Sequence, residues 1–178
     1  MPDKNSIPVD YHALEFGPSF SHSRVGRERI DAFRAQLPAP ALADFMDIWL
    51  AVLPDAGVPP KRDMTPERMS AHLGYLGIME LKDDPLDVVF RLAGIHIVEA
   101  LGFEMTGQSL HRSIPRDQGF ADRYDMFWRP VFECGKPRYD RAHLGPVARK
   151  HLRYHALHLP VADDAGVIRY SVFRFLPD

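Results

Sequence analysis

The residues with the most obvious capacity for chemistry are nine histidines and a single cysteine in a chain of 178 residues. His151, His155 and His158 fall within one predicted strand, a density that invites a metal interpretation. Side chains alternate between the two faces of a strand, so residues 151 and 155 share a face while 158 lies on the other. These three side chains cannot converge on one ion, and the strand supplies no Cys, Asp or Glu. The sequence therefore predicts no metal site.

Motifs for catalysis are absent from the sequence. It contains no Gly-x-Ser-x-Gly elbow, no His-Glu-x-x-His and no phosphate-binding Gly-x-x-x-x-Gly-Lys. The acidic pairs at 83–84 and 163–164 lie in predicted turns, where solvated side chains are the usual occupants. The chain is predicted not to be an enzyme. A small α+β enzyme is kept as a third hypothesis, and His155 beside a carboxylate would be its first candidate base.

Composition and charge restrict the partners. The formal net charge is −2, which gives no electrostatic reason to expect nucleic acid or an anionic membrane surface. No apolar run approaches the ~20 residues of a membrane span, and the polar N-terminus does not resemble a signal peptide. A single cysteine permits no intramolecular disulfide, which fits a reducing compartment. We expect a cytoplasmic protein.

The N-terminal part of the chain predicts two helices after an irregular arm. Residues 1–25 carry prolines and serines without a sustained period and form the arm, and 26–74 form a helical extension and lead-in. Helices are expected over 27–37 and 40–53. The second has a wide apolar stripe, which either packs onto its own domain or forms a homodimer interface with the same helix of a second chain. The residues predicted to contact such a partner are Phe45, Trp49 and Leu53.

The remaining residues, 75–178, change to the two-residue period of strands. Strands are predicted over 76–81, 88–92, 138–144, 151–161 and 167–176. A short helix over 95–101 ends at Gly102, and a longer one over 117–134 carries an aromatic stripe and is interrupted by Pro130. Because the connections within each strand group are short, the strands should pair antiparallel. The order predicts an α+β fold, with a five-stranded antiparallel sheet, helices on one face and the N-terminal helical extension.

Three segments resemble a bacterial subfamily of single PAS domains. Residues 89–110 hold an aromatic-Arg-Leu-x-Gly strand end, a short helix and a Thr-Gly-x-x-Leu turn. The region between 48 and 76 is similar to the helical lead-in of that subfamily, and 157–166 to its fourth strand and following turn. The resemblance spans residues 42–176. It implies several short helices over one sheet face and a pocket between them.

The resemblance also implies a sensory module that binds a small, partly apolar ligand and relays its presence to a regulatory protein or a changed homodimer. The ligand and any cofactor are not identified by the sequence. The aromatic stripe of the long helix is either core or pocket lining, and Tyr124 and Trp128 add polar groups that a ligand could use. The residues predicted to line the pocket are Phe90, Leu92, Tyr124, Trp128, His155 and Phe173. The alternative is a pure protein-interaction module with a filled core. Arg91 is interpreted as one half of a structural ion pair.

Two cofactors of related domains are not favoured. Haem-binding PAS domains use a histidine on the long helix, and residues 117–134 contain none. His96 and His111 are alternative axial candidates, although each fits a surface or capping position better. Flavin photochemistry in related domains needs a cysteine in an Asn-Cys-Arg type motif, whereas Cys134 stands between Glu133 and Gly135. Cys134 is therefore interpreted as an inert small residue.

Overall fold

One antiparallel sheet organises the chain. The structure is a computed structural model that describes residues 10–13, 24–110, 124–143 and 152–178. Within these ranges, six strands occur in the spatial order β1-β4-β5-β6-β2-β3. The strands are β1 (Asp10–Ala13), β2 (Leu76–Asp83), β3 (Leu86–Ala93), β4 (Arg138–His143), β5 (Arg153–Ala162) and β6 (Ile168–Pro177). All neighbouring pairs are antiparallel.

The five predicted strands are confirmed. The hairpin β2–β3 pairs with β6 through β2, so residues 88–92 and the last strand lie in a common sheet. The prediction of an irregular arm is wrong for Asp10–Ala13, which pair with Arg138–Arg141 as a sixth strand. This strand covers backbone groups that β4 would otherwise present at a sheet edge. The rest of residues 1–23 lies outside the described ranges.

The helices predicted over 27–37, 40–53 and 95–101 lie close to their predicted positions, whereas residues 117–123 of the longer predicted helix lie outside the described ranges. Those described are α1 (Arg24–Gln36), α2 (Pro40–Ala51), α3 (Ile95–Leu101) and α4 (Arg129–Phe132), with 3₁₀ turns at Lys61–Asp63 and Ser70–Tyr75. After Thr65 the chain forms a turn and then the second 3₁₀ segment, and the Thr65 hydroxyl accepts from the Arg68 N–H at 3.4 Å. Gly102 ends α3 with φ +81°, as a left-handed C-terminal glycine does.

Two hydrophobic cores lie on opposite faces of the sheet. On the outer face, α1 and α2 cover apolar side chains from β2, β4, β5 and β6, which include Leu76, Tyr139, Leu157 and Val172. On the inner face, α3, α4 and the segment before α4 cover a second set, which includes Met79, Phe90, Phe173 and Phe175. Alternation along β5 and β6 separates the two sets, because neighbouring residues of a strand point to opposite faces.

Glycines permit two close approaches that shape the inner face. A Cβ atom on Gly77 would lie 2.0 Å from Cζ of Phe173, so the absence of a side chain lets the Phe173 ring cross β2. A Cβ atom on Gly94 would lie 2.5 Å from the carbonyl oxygen of Gly74, which brings the start of α3 against the 3₁₀ turn. Because backbone atoms cannot move aside, Gly94 is required for this junction.

None of the helices within the described ranges has both the length and the apolar character that crossing a bilayer demands.

Candidate ligand-binding site

An aromatic roof covers the inner face between the sheet and α4. It consists of Tyr124, Phe127, Trp128 and Phe132, and the five residues Tyr124–Trp128, which include three of these, form a π-helical turn. Pro130 lies in the first turn of α4, and because it has no N–H it cannot donate to the preceding turn, so the two segments do not form one regular α-helix. Short π-helical segments are frequent at functional sites, where they re-aim side chains. The structure thus presents Trp128 to the sheet instead of a regular helical face.

Tyr124 is anchored within this roof. It is almost completely buried, and its hydroxyl donates to Oε1 of Glu133 at 3.1 Å. Burial, together with the hydrogen bond to and charge of Glu133, raises the pKa of the Tyr124 hydroxyl. Tyr124 is therefore a neutral hydrogen-bonding group at physiological pH.

The apolar part of the inner face is built around Phe173. Its ring stacks on the His158 imidazole, with 4.9 Å between centroids, and meets the Phe90 ring edge-on at 6.2 Å. The Trp128 ring in turn stands edge-on to His158 at 5.1 Å, with an interplanar angle of 87°. A continuous set of aromatic rings therefore runs from the roof to the central strands.

A buried ion pair lies beside these rings on β4. Arg138 and Asp140 are 3% and 4% exposed, and their side chains share the inner face because they are two residues apart. Nε of Arg138 donates to Oδ1 of Asp140 at 2.8 Å, and Nη2 donates to Oδ2. The guanidinium carbon lies 4.8 Å from the centroid of the Trp128 ring and 5.1 Å from that of Phe127. The two aromatic rings therefore pack against the Arg138 guanidinium group, and Asp140 accepts hydrogen bonds at its edge.

His158 extends this pair into a buried polar cluster of Arg138, Asp140, His158 and Ser171. Nε2 of His158 lies 3.4 Å from Oδ2 of Asp140, and Nδ1 lies 3.3 Å from the Ser171 hydroxyl. Burial, and secondarily the charge of Arg138, hold the pKa of His158 well below its ordinary value. The imidazole is therefore neutral at pH 7, with Nε2–H facing the carboxylate and Nδ1 accepting from Ser171.

Tyr154 borders the cluster farther along β5. Its ring stacks on Phe175 at 5.2 Å, and it is half-buried. Burial, with a smaller effect of Asp140, raises the pKa of its hydroxyl to about 12. Between Tyr154 and His158 the inner face carries only the small side chain of Ala156, opposite Asp140.

Four of the six predicted pocket residues meet on the inner face, namely Phe90, Tyr124, Trp128 and Phe173. Leu92 does not join them, and it is 41% exposed. The register shifts between Ile78 and Met79, so that Leu92 pairs with Ile78 while Phe90 pairs with Met79. Since paired side chains share a face, this bulge turns Leu92 towards the side of Ile78, which packs on the outer core. The prediction for Leu92 is corrected on this ground.

His155 also lies away from the predicted pocket. It is an odd-numbered residue of β5, like Leu157 and Leu159, and therefore points to the outer face. Its Nε2 lies 2.5 Å from Oδ1 of Asp178, and its Nδ1 lies 2.5 Å from the Tyr139 hydroxyl. A neighbouring carboxylate is thus present, as the enzyme hypothesis requires. Burial raises the pKa of the Tyr139 hydroxyl, however, so it is not activated as a phenolate.

The residues predicted to bind a partner on α2 are occupied within the chain itself. Phe45 and Trp49 have no exposed surface, and the Trp49 Nε1–H donates to the Pro160 carbonyl at 2.8 Å. The prediction that these two side chains contact a second chain is corrected, because the outer sheet face already takes up the stripe. Leu53 lies beyond the end of α2 and stays half-buried at the edge of this core.

The remaining candidates that the structure describes are partly or fully exposed. Nδ1 of His96 is 3.0 Å from Glu99, and its ring packs on Tyr75. Cys134 is exposed, and His111 and His151 lie outside the described residues. In the part of the chain that the structure describes, no three His, Cys, Asp or Glu side chains are grouped as a metal site would need. Arg91 pairs with Glu80, which confirms its interpretation as a structural ion pair.

Sequence reasoning missed Arg138, Asp140 and His158. A usable signal existed for the first two, since opposite charges two residues apart on a strand share a face and can pair. For His158 the alternation argument separated it from His155 correctly. The alternation along β5 does not say which of its two faces is the inner one, so His155 rather than His158 was predicted to line the pocket.

Comparison with known proteins identifies the domain. A family described as "PAS domain" matches residues 37–119, just under half of the chain. The chain therefore contains a PAS domain, a sensory module with an α+β fold. The match begins in the segment predicted as the helical extension and includes α2. The bacterial subfamily that the motifs resemble stays a prediction.

Comparisons with curated proteins and with solved structures do not extend this assignment. A search of curated proteins found no match. Among solved structures, the chain is similar to one described as "Structure of an RNA-binding Light-Oxygen-Voltage Receptor", with 15% sequence identity and a TM-score of 0.43. The similar region covers 70% of this chain and 37% of that receptor. A similarity of this size carries no argument about function.

Proposed function

We propose that this PAS domain binds a small, partly apolar ligand between the aromatic roof and the inner sheet face. The observation that supports it is the buried polar cluster beneath the roof. A sheet face needed only for stability would be packed with apolar side chains, because a buried ion pair is often no more stable than an apolar replacement. Apolar walls with a few convergent polar groups are typical of ligand sites.

The proposal includes a relay from the inner face to the N-terminal helices. β5 contacts both regions, since its His158 belongs to the polar cluster while its Pro160 carbonyl accepts from Trp49 of α2. A change at His158 on ligand binding would therefore act on the strand that anchors α2. The partner would be a regulatory protein or a second copy, reached through surfaces of α1 and α2 other than the buried stripe.

Thermal unfolding in the presence of metabolite, lipid and haem panels tests ligand binding. A ligand at 100 times its dissociation constant stabilises the folded state by about 2.7 kcal/mol, which is several degrees for a domain of this size. A matched screen on the variant Phe173→Ala should lose the response, whereas Leu92→Thr should keep it. The absence of any shift across all panels would refute the ligand-binding proposal.

A second candidate function, a protein-interaction module, is favoured by a different observation. Leu73, Leu92 and Ile95 are 47%, 41% and 58% exposed. Leu73 and Ile95 lie together at the junction of the 3₁₀ turn and α3, where both approach Gly74 or Gly94. Ile95→Lys should abolish capture of a partner if this surface binds one, while a ligand-induced thermal shift should survive the same change.

A further inference from the structure

The Arg138 guanidinium has an unused donor. Nε and Nη2 both bond to Asp140, so the planar geometry of the group turns Nη1 away from that carboxylate. Nη1 is buried and has no hydrogen-bond partner among the described residues. A buried donor without an acceptor is unfavourable, and more so when it is charged. A ligand that supplies the missing acceptor would therefore gain binding free energy from this hydrogen bond.

The charge balance of the cluster indicates an uncharged acceptor. Arg138 and Asp140 offset each other's charge, and His158 is neutral. An incoming carboxylate would add an uncompensated negative charge to a buried site, where its desolvation is strongly unfavourable. A carbonyl oxygen accepts the same hydrogen bond without that cost.

The surroundings of Nη1 indicate a planar molecule. The rings of Trp128 and Phe127 cover the face of the guanidinium, so an acceptor must approach in its plane, at the Nη1 edge. A molecule that accepts from Nη1 in this plane begins next to the Trp128 and Phe127 rings. A flat, conjugated skeleton fits this arrangement better than a branched aliphatic one.

On the basis of the proposed function, we infer that the ligand is an uncharged, planar aromatic compound whose carbonyl oxygen accepts a hydrogen bond from Nη1 of Arg138. The inference assigns a chemical class to the ligand and a specificity role to Arg138. Trp128 and Phe127 supply the flat walls.

Three small probes of nearly equal shape test the inference. Acetophenone carries the carbonyl, α-methylstyrene replaces its oxygen by a CH₂ group, and benzoate replaces the methyl ketone by a carboxylate. A hydrogen bond to a charged donor should make the dissociation constant of acetophenone at least about tenfold lower than that of α-methylstyrene. Benzoate should bind more weakly than acetophenone at pH 7. Titration of the full chain, followed by NMR, measures all three constants.

The side-chain ¹⁵N and ¹H resonances of Arg138 give a direct readout in the unaltered protein. Acetophenone should shift the Nη1 proton downfield through the new hydrogen bond, whereas α-methylstyrene should cause only the smaller shift that its ring current produces. The double variant Arg138→Met/Asp140→Leu removes both charges together and so avoids an unpaired carboxylate. It should bind acetophenone and α-methylstyrene equally. Arg141→Met, on the same strand but facing away and exposed, is the matched control and should keep the tenfold preference.

Several outcomes would overturn the inference. Equal binding of acetophenone and α-methylstyrene would leave the site a ligand site but remove the role of Nη1. Tighter binding of benzoate would show that the ligand is an anion. If none of the three probes binds, or only water occupies Nη1, the assigned class is wrong. These results differ from a failure of the proposed function, in which no compound in the wider panels shifts the unfolding temperature.

Discussion

The two faces of the sheet are filled in different ways. On the outer face, α1 and α2 bury a mainly apolar core, in which Trp49 donates to a backbone carbonyl and the buried Arg174 donates to His72. On the inner face, a comparable number of large apolar side chains surrounds a buried arginine, aspartate and histidine. Both faces belong to the same strands, so the difference does not arise from local backbone structure.

The two faces of the sheet differ in what they contribute to the stability of the fold and to the specificity of the site. An apolar core stabilises the fold through the area removed from water and is tolerant of the chemistry of its members. A buried charged cluster adds little net stability and depends on each partner being present. The outer face therefore holds the PAS domain together, and the inner face is the part whose chemistry needs a functional explanation. Four experiments test this division.

Trp49→Ala should have the largest effect on stability. It empties a fully buried indole site on the outer face and leaves the Pro160 carbonyl without its donor. We expect a loss of about 3–5 kcal/mol in the free energy of unfolding, measured by urea denaturation. Trp49→Phe keeps most of the apolar area and should lose much less. A loss below about 1 kcal/mol for the alanine variant would contradict the role assigned to the outer core.

Arg138→Met should be nearly as damaging, although for a different reason. It leaves Asp140 buried without its cationic partner, which costs about 3–5 kcal/mol. The double variant Arg138→Met/Asp140→Leu should recover most of that loss when unfolding is measured in the same way. If the double variant is as unstable as the single one, the cluster contributes stability as a unit and the contrast between the faces weakens.

The pH dependence of stability should carry a contribution from His158. Burial lowers its pKa in the folded state, so below about pH 6.5 the unfolded chain binds a proton that the folded chain does not. Stability should therefore fall as the pH decreases from about 6.5 towards the folded pKa. His158→Gln should reduce this slope by one proton, about 1.4 kcal/mol per pH unit.

A second histidine provides the control for this measurement. Burial, and then the charge of Arg174, also lower the pKa of His72 at the edge of the outer core. His72→Gln should remove its own share of the slope and leave that of His158, and the two effects should add. Denaturation midpoints between about pH 5 and about pH 8 measure both. An unchanged slope in His158→Gln would mean that this imidazole is not held neutral.

Leu92→Thr should have the smallest effect. The side chain lies at the surface beyond the bulge, so we expect a change below about 0.5 kcal/mol in the free energy of unfolding. Phe90→Ala, two residues earlier on the same strand, should cost about 3–5 kcal/mol because Phe90 is buried on the inner face. Similar losses at both positions would show that the bulge does not separate them.

Local patterns in the sequence determined most of the elements. The two-residue period located β2 to β6, and Gly102 marked the end of α3 because a left-handed residue commonly ends a helix. The aromatic stripe containing Tyr124 and Trp128 was recognisable from its helical spacing. These features depend on neighbours along the chain, which is the information that one sequence contains.

Only the tertiary structure decided which helices cover each face of the strands. Alternation placed His155 and His158 on opposite sides of β5, but only the packing of α2 against Leu157 and Leu159 showed that His158 points inward. The bulge opposite Ile78 reversed Leu92 through one extra residue, which leaves no distinct mark in composition or period. The pairing of Arg138 with Asp140, and their burial under Trp128, likewise required the roof to fold back over β4. Contacts between residues far apart in the chain set these outcomes, and such contacts are not encoded in any local pattern.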